Sequence, residues 1–373
     1  MDEPVYIFGP VTSFLVWRAA MQGLVDEPYD PTCQPNLAHS HATLRMIREL
    51  PMLRSLGDVP IDAIVGQPSR THECKSIDTI VLKGQLPSGS FKQVGRHAYV
   101  CSPELCFALL ARGGFDRHLL EVGCELCGTY CLAPNQSGEF FEVSQLLTLD
   151  KLQSFLEQLG RRHGIRVARQ AASLLQEGSA SPRETSLYIV LTIYPRYGGY
   201  GLPKPKLNGR LDISPHSQLA LRKGYLKVDL LYTDSQGNAI AVGEYDSASY
   251  HFYTKQAQAS GVFIDVCKVI ADDLRREIIR DEDVDIVTFR KEDTEHFDDF
   301  DMKAMRLARL VGAKPLASEG SVRNERIDLF TNIFDTKRWA DEHQLLRKMA
   351  GYKRVIEHPS ARKRPSAVGG CGA

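Results

Sequence analysis

The sequence predicts an α/β protein, with an N-terminal α+β module followed by a core in which helices flank a central mixed sheet. Three observations carry this. Short apolar runs bounded by turn residues fill residues 1–148. A helical, arginine-rich stretch follows at 149–180. From residue 181 the pattern runs helix, loop, strand, strand, helix, strand. The chain has 373 residues, 43% hydrophobic and 25% charged, enough for two or three domains with real cores. Lys plus Arg and Asp plus Glu each total 46, so the formal net charge is zero. That balance excludes a wholly disordered chain and a strongly basic coat protein, while leaving room for a local basic groove.

In the first module, IDAIVG (61–66), DTIVLKG (78–84) and HAYVCS (97–102) read as strands. SPELCFALLARG reads as a capped helix with Ser102 as N-cap, Pro103 at the first position and Glu104 in the first turn. DRHLLEVGCELCGTY continues as helix, and the whole serves as a recognition module for nucleic acid or a partner protein. Nine cysteines, an odd number in a long chain without a secretory segment, are expected to be reduced. Cys124, Cys127 and Cys131 form C-x2-C-x3-C, but a structural zinc site wants a clear fourth donor, so they read as small buried hydrophobes. The acidic N-terminus lacks a signal segment, and LCFALLA is far too short for a bilayer. The expectation is a cytoplasmic protein without a membrane.

Residues 149–180 read as a basic helical linker. Arg161, Arg162, Arg166 and Arg169 fall within an arc of roughly 140° on a continuous helix, a face suited to phosphates or simply to water. The core is expected over 181–315. SPRETSLYIVLTIYP starts a helix with Glu184 in its first turn, and PRYGGYGLPKPKLN is a Gly/Pro-rich loop. GYLKVDLLYTD and NAIAVGEYDS form a hairpin across D-S-Q-G-N. A helix from about Val266 to Arg280 and the strand VDIVTFR complete it. C-terminal helices (316–357) and a disordered, Pro/Gly/Ser-rich tail (358–373) follow. GGYG lacks a Gly-Lys-Ser/Thr ending, so no nucleotide cofactor is expected.

The hairpin carries the chemistry. Asp229 interrupts an apolar strand, and Glu244 and Asp246 end the next, pointing to one face at strand period two. His251 follows five residues on, and Glu184 approaches from the preceding helix. Carboxylates on one sheet edge suit Mg2+ or Mn2+, which takes a few carboxylates, waters and a substrate phosphate. Such a group fits metal-assisted phosphodiester hydrolysis, with His251 orienting water or protonating the leaving group. Each residue also has a structural alternative: Asp229 in an ion pair, Glu184 as a first-turn acid, Arg275 as a partner of one of the acids.

On SPRET, GGYGLPKPKLN, KVDLLY with Asp229, EYDSASYH with Glu244, Asp246 and His251, ADDLRREII and VDIVTF, residues 181–292 resemble the PD-(D/E)XK endonuclease-like superfamily. The nearest branch is that of very short patch repair endonuclease-like proteins. The layout of the whole chain is also similar to abortive-infection antitoxin-like proteins of actinobacteria. The resemblance implies a restriction-endonuclease-like core and a Mg2+-dependent DNA endonuclease of bacterial defence or mobile-element biology. It implies metal ligands Glu184, Asp229 and Glu244, water and phosphate positioning by Asp246 and His251, and phosphate contact by Arg275. Where the superfamily usually has Lys, this chain has Asp246, so Lys255 or Lys268 would have to substitute. The departure keeps a second function open, a non-catalytic DNA-binding regulator or antitoxin-like protein that retains the nuclease fold.

Overall fold

Ser or Thr ahead of Pro or an acidic first turn marks four helix starts, and in the computed structural model each begins a helix. Ser102, Thr148, Ser181 and Ser214 accept the backbone N–H three residues on through their side chains. The structure describes residues 5–43, 61–71, 77–133, 139–246, 266–335 and 342–352. The tail at 358–373 lies outside them.

The N-terminal module contains β1 (Tyr6–Ile7), α1 (Pro10–Met21), β2 (Ile61–Val65), β3 (Ile77–Val81), β4 (Phe91–Gly95), β5 (Ala98–Cys101), α2 (Pro103–Leu110), α3 (Arg117–Leu126), β6 (Tyr130–Leu132) and β7 (Phe140–Glu142). β5 lies between β1, which it meets parallel, and β4, antiparallel. β2 and β3 form a parallel pair, and β6 and β7 an antiparallel one. α1 is buried all round from Pro10 to Ala19, as expected of a helix with no polar face. Cys124 and Cys127 pack in the apolar core, where burial pushes the Cys124 thiol up to about 12.

Then come α4 (Leu149–Gln158) and α5 (Ile165–Ala172). They differ from the expected continuous basic helix. Gly160 and Gly164 take left-handed φ values of 66° and 86°, which stop one helix and restart the next. Arg161 and Arg162 therefore sit in the corner between α4 and α5. The Arg162 guanidinium donates to the carbonyls of Lys83 (2.6 Å) and Gln85. Arg169 donates to the Leu156 carbonyl at 2.8 Å. Leu152, Phe155, Ile165 and Ala168 join a core that continues through Leu187, Leu230 and Phe300 to Met349. The apolar packing thus runs without a break across residue 180.

The core proper comprises α6 (Pro182–Thr192), β8 (Lys206–Asp212), α7 (Pro215–Leu221), β9 (Tyr225–Thr233), β10 (Ala239–Asp246), α8 (Val266–Asp281) and β11 (Asp285–Arg290). After it come α9 (Phe297–Leu310), α10 (Gly320–Phe334) and α11 (Glu342–Met349). The strands form a mixed sheet in the order β11-β10-β9-β8, antiparallel except for the β10–β11 pair. Leu226, Val228, Val242 and Ile286 cover one face against Ile278 and Ile279 of α8. Leu230, Tyr232, Ala241 and Phe289 belong to the main core with α6 and α9. The hairpin, α8 and β11 match the sequence expectation. β8 and α7 add to it, because the segment up to Asn208 was read as loop and residues 209–222 were assigned no element. β8 is an edge strand alternating exposed polar with buried positions, and its Asn and Gly mask the strand signal. The chain is thus mixed α/β, with helices on both faces of a mixed sheet. Among the described residues no helix is long and apolar enough to cross a membrane.

Candidate functional site

The β9–β10 turn sets the register. Asp234 Oδ1 accepts from the backbone N–H of Gln236 (2.8 Å) and Asn238 (2.9 Å), and Gly237 takes φ 90°. Leu230 then pairs with Gly243, which brings Asp229 level with Glu244. On one side β8 sets Asn208 level with Asp229, and on the other β11 pairs Thr288 with Glu244. A row Asn208, Asp229, Glu244, Thr288 crosses the sheet. In β9, Leu226 and Val228 face α8, while Leu230 and Tyr232 face the main core. The two-residue alternation therefore breaks at Asp229, and Asn208 beside it takes φ 47°.

Asp229 Oδ2 accepts from the Tyr245 N–H at 2.7 Å. Burial, then the charges of Glu244 and Glu184, push its carboxyl up to about 8, against the pull of that hydrogen bond and of Arg275. Burial also raises the Glu244 carboxyl, and Arg275 opposes it. Arg275 Nη2 donates to Glu244 Oε1 at 2.9 Å and to the Lys227 carbonyl, bridging β9 and β10. The next residue of α8, Arg276, pairs with Asp246 and with Asp273 (2.8 Å).

Glu184 arrives through a variant of the capping box, its carboxylate taking the Ser181 hydroxyl and the Ala180 N–H in place of the Ser181 N–H. Its N–H donates to Ser181 Oγ at 3.2 Å, and its Oε1 accepts from the Ser181 hydroxyl at 3.0 Å. Its Oε2 accepts from Ala180 N–H (2.9 Å) and Asn208 Nδ2 (2.7 Å), which ties α6 to β8 beside the carboxylate row. Glu184 is thus both a first-turn acid and part of the field acting on Asp229.

The structure sets Asp229 level with Glu244, holds Glu184 beside them through Asn208, sets Asp246 two residues along, and joins Arg275 to the group through Glu244. It places Arg161, Arg162 and Arg166 on the α4–α5 corner instead. His251, Lys255 and the Lys268 side chain lie outside the described residues. Sequence reasoning missed Asn208 and Arg276. Asn208 was hidden in a segment read as loop. Arg276 differs from Arg275 only by which carboxylate it meets, which no sequence pattern encodes.

The donors are hard carboxylate oxygens, the class Mg2+ and Mn2+ take, and Asp229 sits where negative charge is undercompensated. In chemistry the set fits a divalent cation. As they stand, among the described residues, no three Asp, Glu, His or Cys side chains form a ready-made ligand set. No family model, curated protein or solved structure matches this chain.

Proposed function

We propose that the protein is a Mg2+- or Mn2+-dependent DNA endonuclease on a restriction-endonuclease-like core, acting in bacterial defence or mobile-element biology. The observation behind this reading is that β9 and β10 set Asp229 and Glu244 side by side, with Glu184 held beside them through Asn208, in a place where burial first and these charges second raise the Asp229 carboxyl to about 8. A bound cation would lower the pKa of a water and offset charge on the scissile phosphate. Asp229 and Glu244 would supply its oxygens, with Glu184 adding field from the side. Asp229 would give up its proton on binding the cation, so affinity is expected to rise with pH up to about 8. Asp246 positions water, and Arg275 and Arg276 hold the carboxylates in place while setting guanidinium charge beside the row.

Nicking of supercoiled plasmid tests this. Wild type is expected to nick only with Mg2+ or Mn2+, and Asp229→Ala and Glu244→Ala are each expected to lose activity while keeping their circular dichroism. Unchanged nicking in both variants, or none from folded wild type, overturns the reading. The ion pairs Arg275–Glu244 and Arg276–Asp246 favour a second one, in which guanidiniums permanently occupy the carboxylates and the protein is a non-cleaving, DNA-binding regulator. Salt-dependent DNA binding without nicking identifies it.

A further inference from the structure

A second feature adjoins the carboxylate row. β11 is the last strand of the sheet, and among the described residues no strand pairs with its outer edge. A cavity of about 680 Å³ runs along that edge between the end of α8 and α9. Arg280, Arg290, Lys303 and Arg306 line it, against only two carboxylates, Asp283 and Asp285. Arg280, Arg290 and Arg306 are exposed, and among the described residues none is paired with a carboxylate. With Lys303 held by Asp293, three guanidiniums face two carboxylates along the groove, a local excess of positive charge in a chain of zero net charge.

Its position gives the field a direction. In the sheet register Thr288 on the groove floor lies level with Glu244, and Arg290 level with Asp246, so a single strand, β11, separates the groove from the carboxylates of β10. An open edge also invites an added peptide strand, but here that edge is capped. Lys303 Nζ donates to the Thr288 carbonyl at 2.9 Å and is held by Asp293. Lys on an edge is a device that discourages strand pairing. Guanidinium forks match phosphate oxygens, which leaves a phosphodiester backbone as the better occupant.

We propose that this groove binds the sugar–phosphate backbone of the nucleic acid presented to the carboxylate row. The inference rests on the nuclease-like reading, and it replaces the α4–α5 corner as the main phosphate contact. The test is fluorescence anisotropy of the full chain with a labelled 20-mer duplex in EDTA, where hydrolysis is silent. Arg280→Ala, Arg290→Ala and Arg306→Ala are made singly and together, on exposed positions, with folding checked by circular dichroism.

The triple variant is expected to lose at least about tenfold in affinity and to flatten the slope of log K against log salt by about 2–3. Wild-type-like binding by the folded triple variant overturns the groove. So does a loss seen only in Arg161→Ala and Arg166→Ala, or a wild type that binds no duplex. Poly-glutamate bound as tightly as the duplex reassigns the groove to acidic peptides and also overturns it. Plasmid nicking separates the two ideas: groove-dependent binding without nicking keeps the groove and removes hydrolysis, whereas nicking with groove-independent binding does the reverse.

Discussion

Two groups of charge in this chain are buried under opposite rules. In the N-terminal half, Arg18 on α1 is fully enclosed and meets two carboxylates with good geometry. Its Nε and Nη2 donate to Glu125 and its Nη1 and Nη2 to Glu342, at 2.7–2.8 Å. The Phe14 ring lies 4.4 Å from the guanidinium carbon. Here the guanidinium forks are filled, and the network pins α11 to α1 and α3. Beside the sheet, Arg275 of α8 pairs with Glu244 and Arg276 with Asp246, Glu184 is held by hydrogen bonds alone, and among the described residues Asp229 has no cation of its own. A saturated network resists change. An undercompensated one suits the cation of the proposed function.

The largest expected effect breaks the first group. Arg18→Met leaves Glu125 and Glu342 buried without their counter-charge, and should cost about 3–5 kcal/mol in urea denaturation. A loss below about 1 kcal/mol would show that the network contributes little.

A smaller effect of opposite sign is expected on the sheet. A carboxyl raised in the fold binds its proton more tightly folded than unfolded, so stability falls as pH climbs from about 4 to about 8. Asp229→Asn removes that penalty. Its melting midpoint in EDTA should exceed the wild type's at pH 8 and approach it at pH 5. Added Mg2+ should raise the wild-type midpoint at pH 8 and leave the variant nearly unmoved. Parallel pH profiles for the two proteins would contradict an undercompensated Asp229.

The smallest change sharpens the comparison at Glu184. Ser181→Ala removes the cap of α6, at a cost of about 1 kcal/mol. Because Glu184 keeps Asn208 and Ala180, the Asp229 pH profile should persist. Its loss would show that the capping box, rather than the sheet row, sets the field.

Much of the sheet region was legible beforehand. The hairpin, α8, β11 and the capped starts of α2 and α6 follow from residues a few positions apart, and the same local spacing put Asp229 level with Glu244. β8 escaped because a polar edge strand with Asn and Gly has too little apolar alternation to stand out. The four-arginine helix face failed at Gly160 and Gly164, where two glycines outweigh the periodicity around them.

By itself the sequence determined what depends on neighbours within about four residues: caps, alternation, the turn, and the acidic residues at the ends of two adjacent strands. Tertiary structure decided which charge meets which. Arg18 finds Glu342 across 324 positions, Arg275 finds Glu244 across 31, and the groove beside β11 gathers arginines from α8, β11 and α9. Caps and alternation are settled by backbone geometry that each segment carries with it. Ion pairs, raised carboxyls and open edges depend on how distant segments exclude water together, and that is set only once the chain has packed.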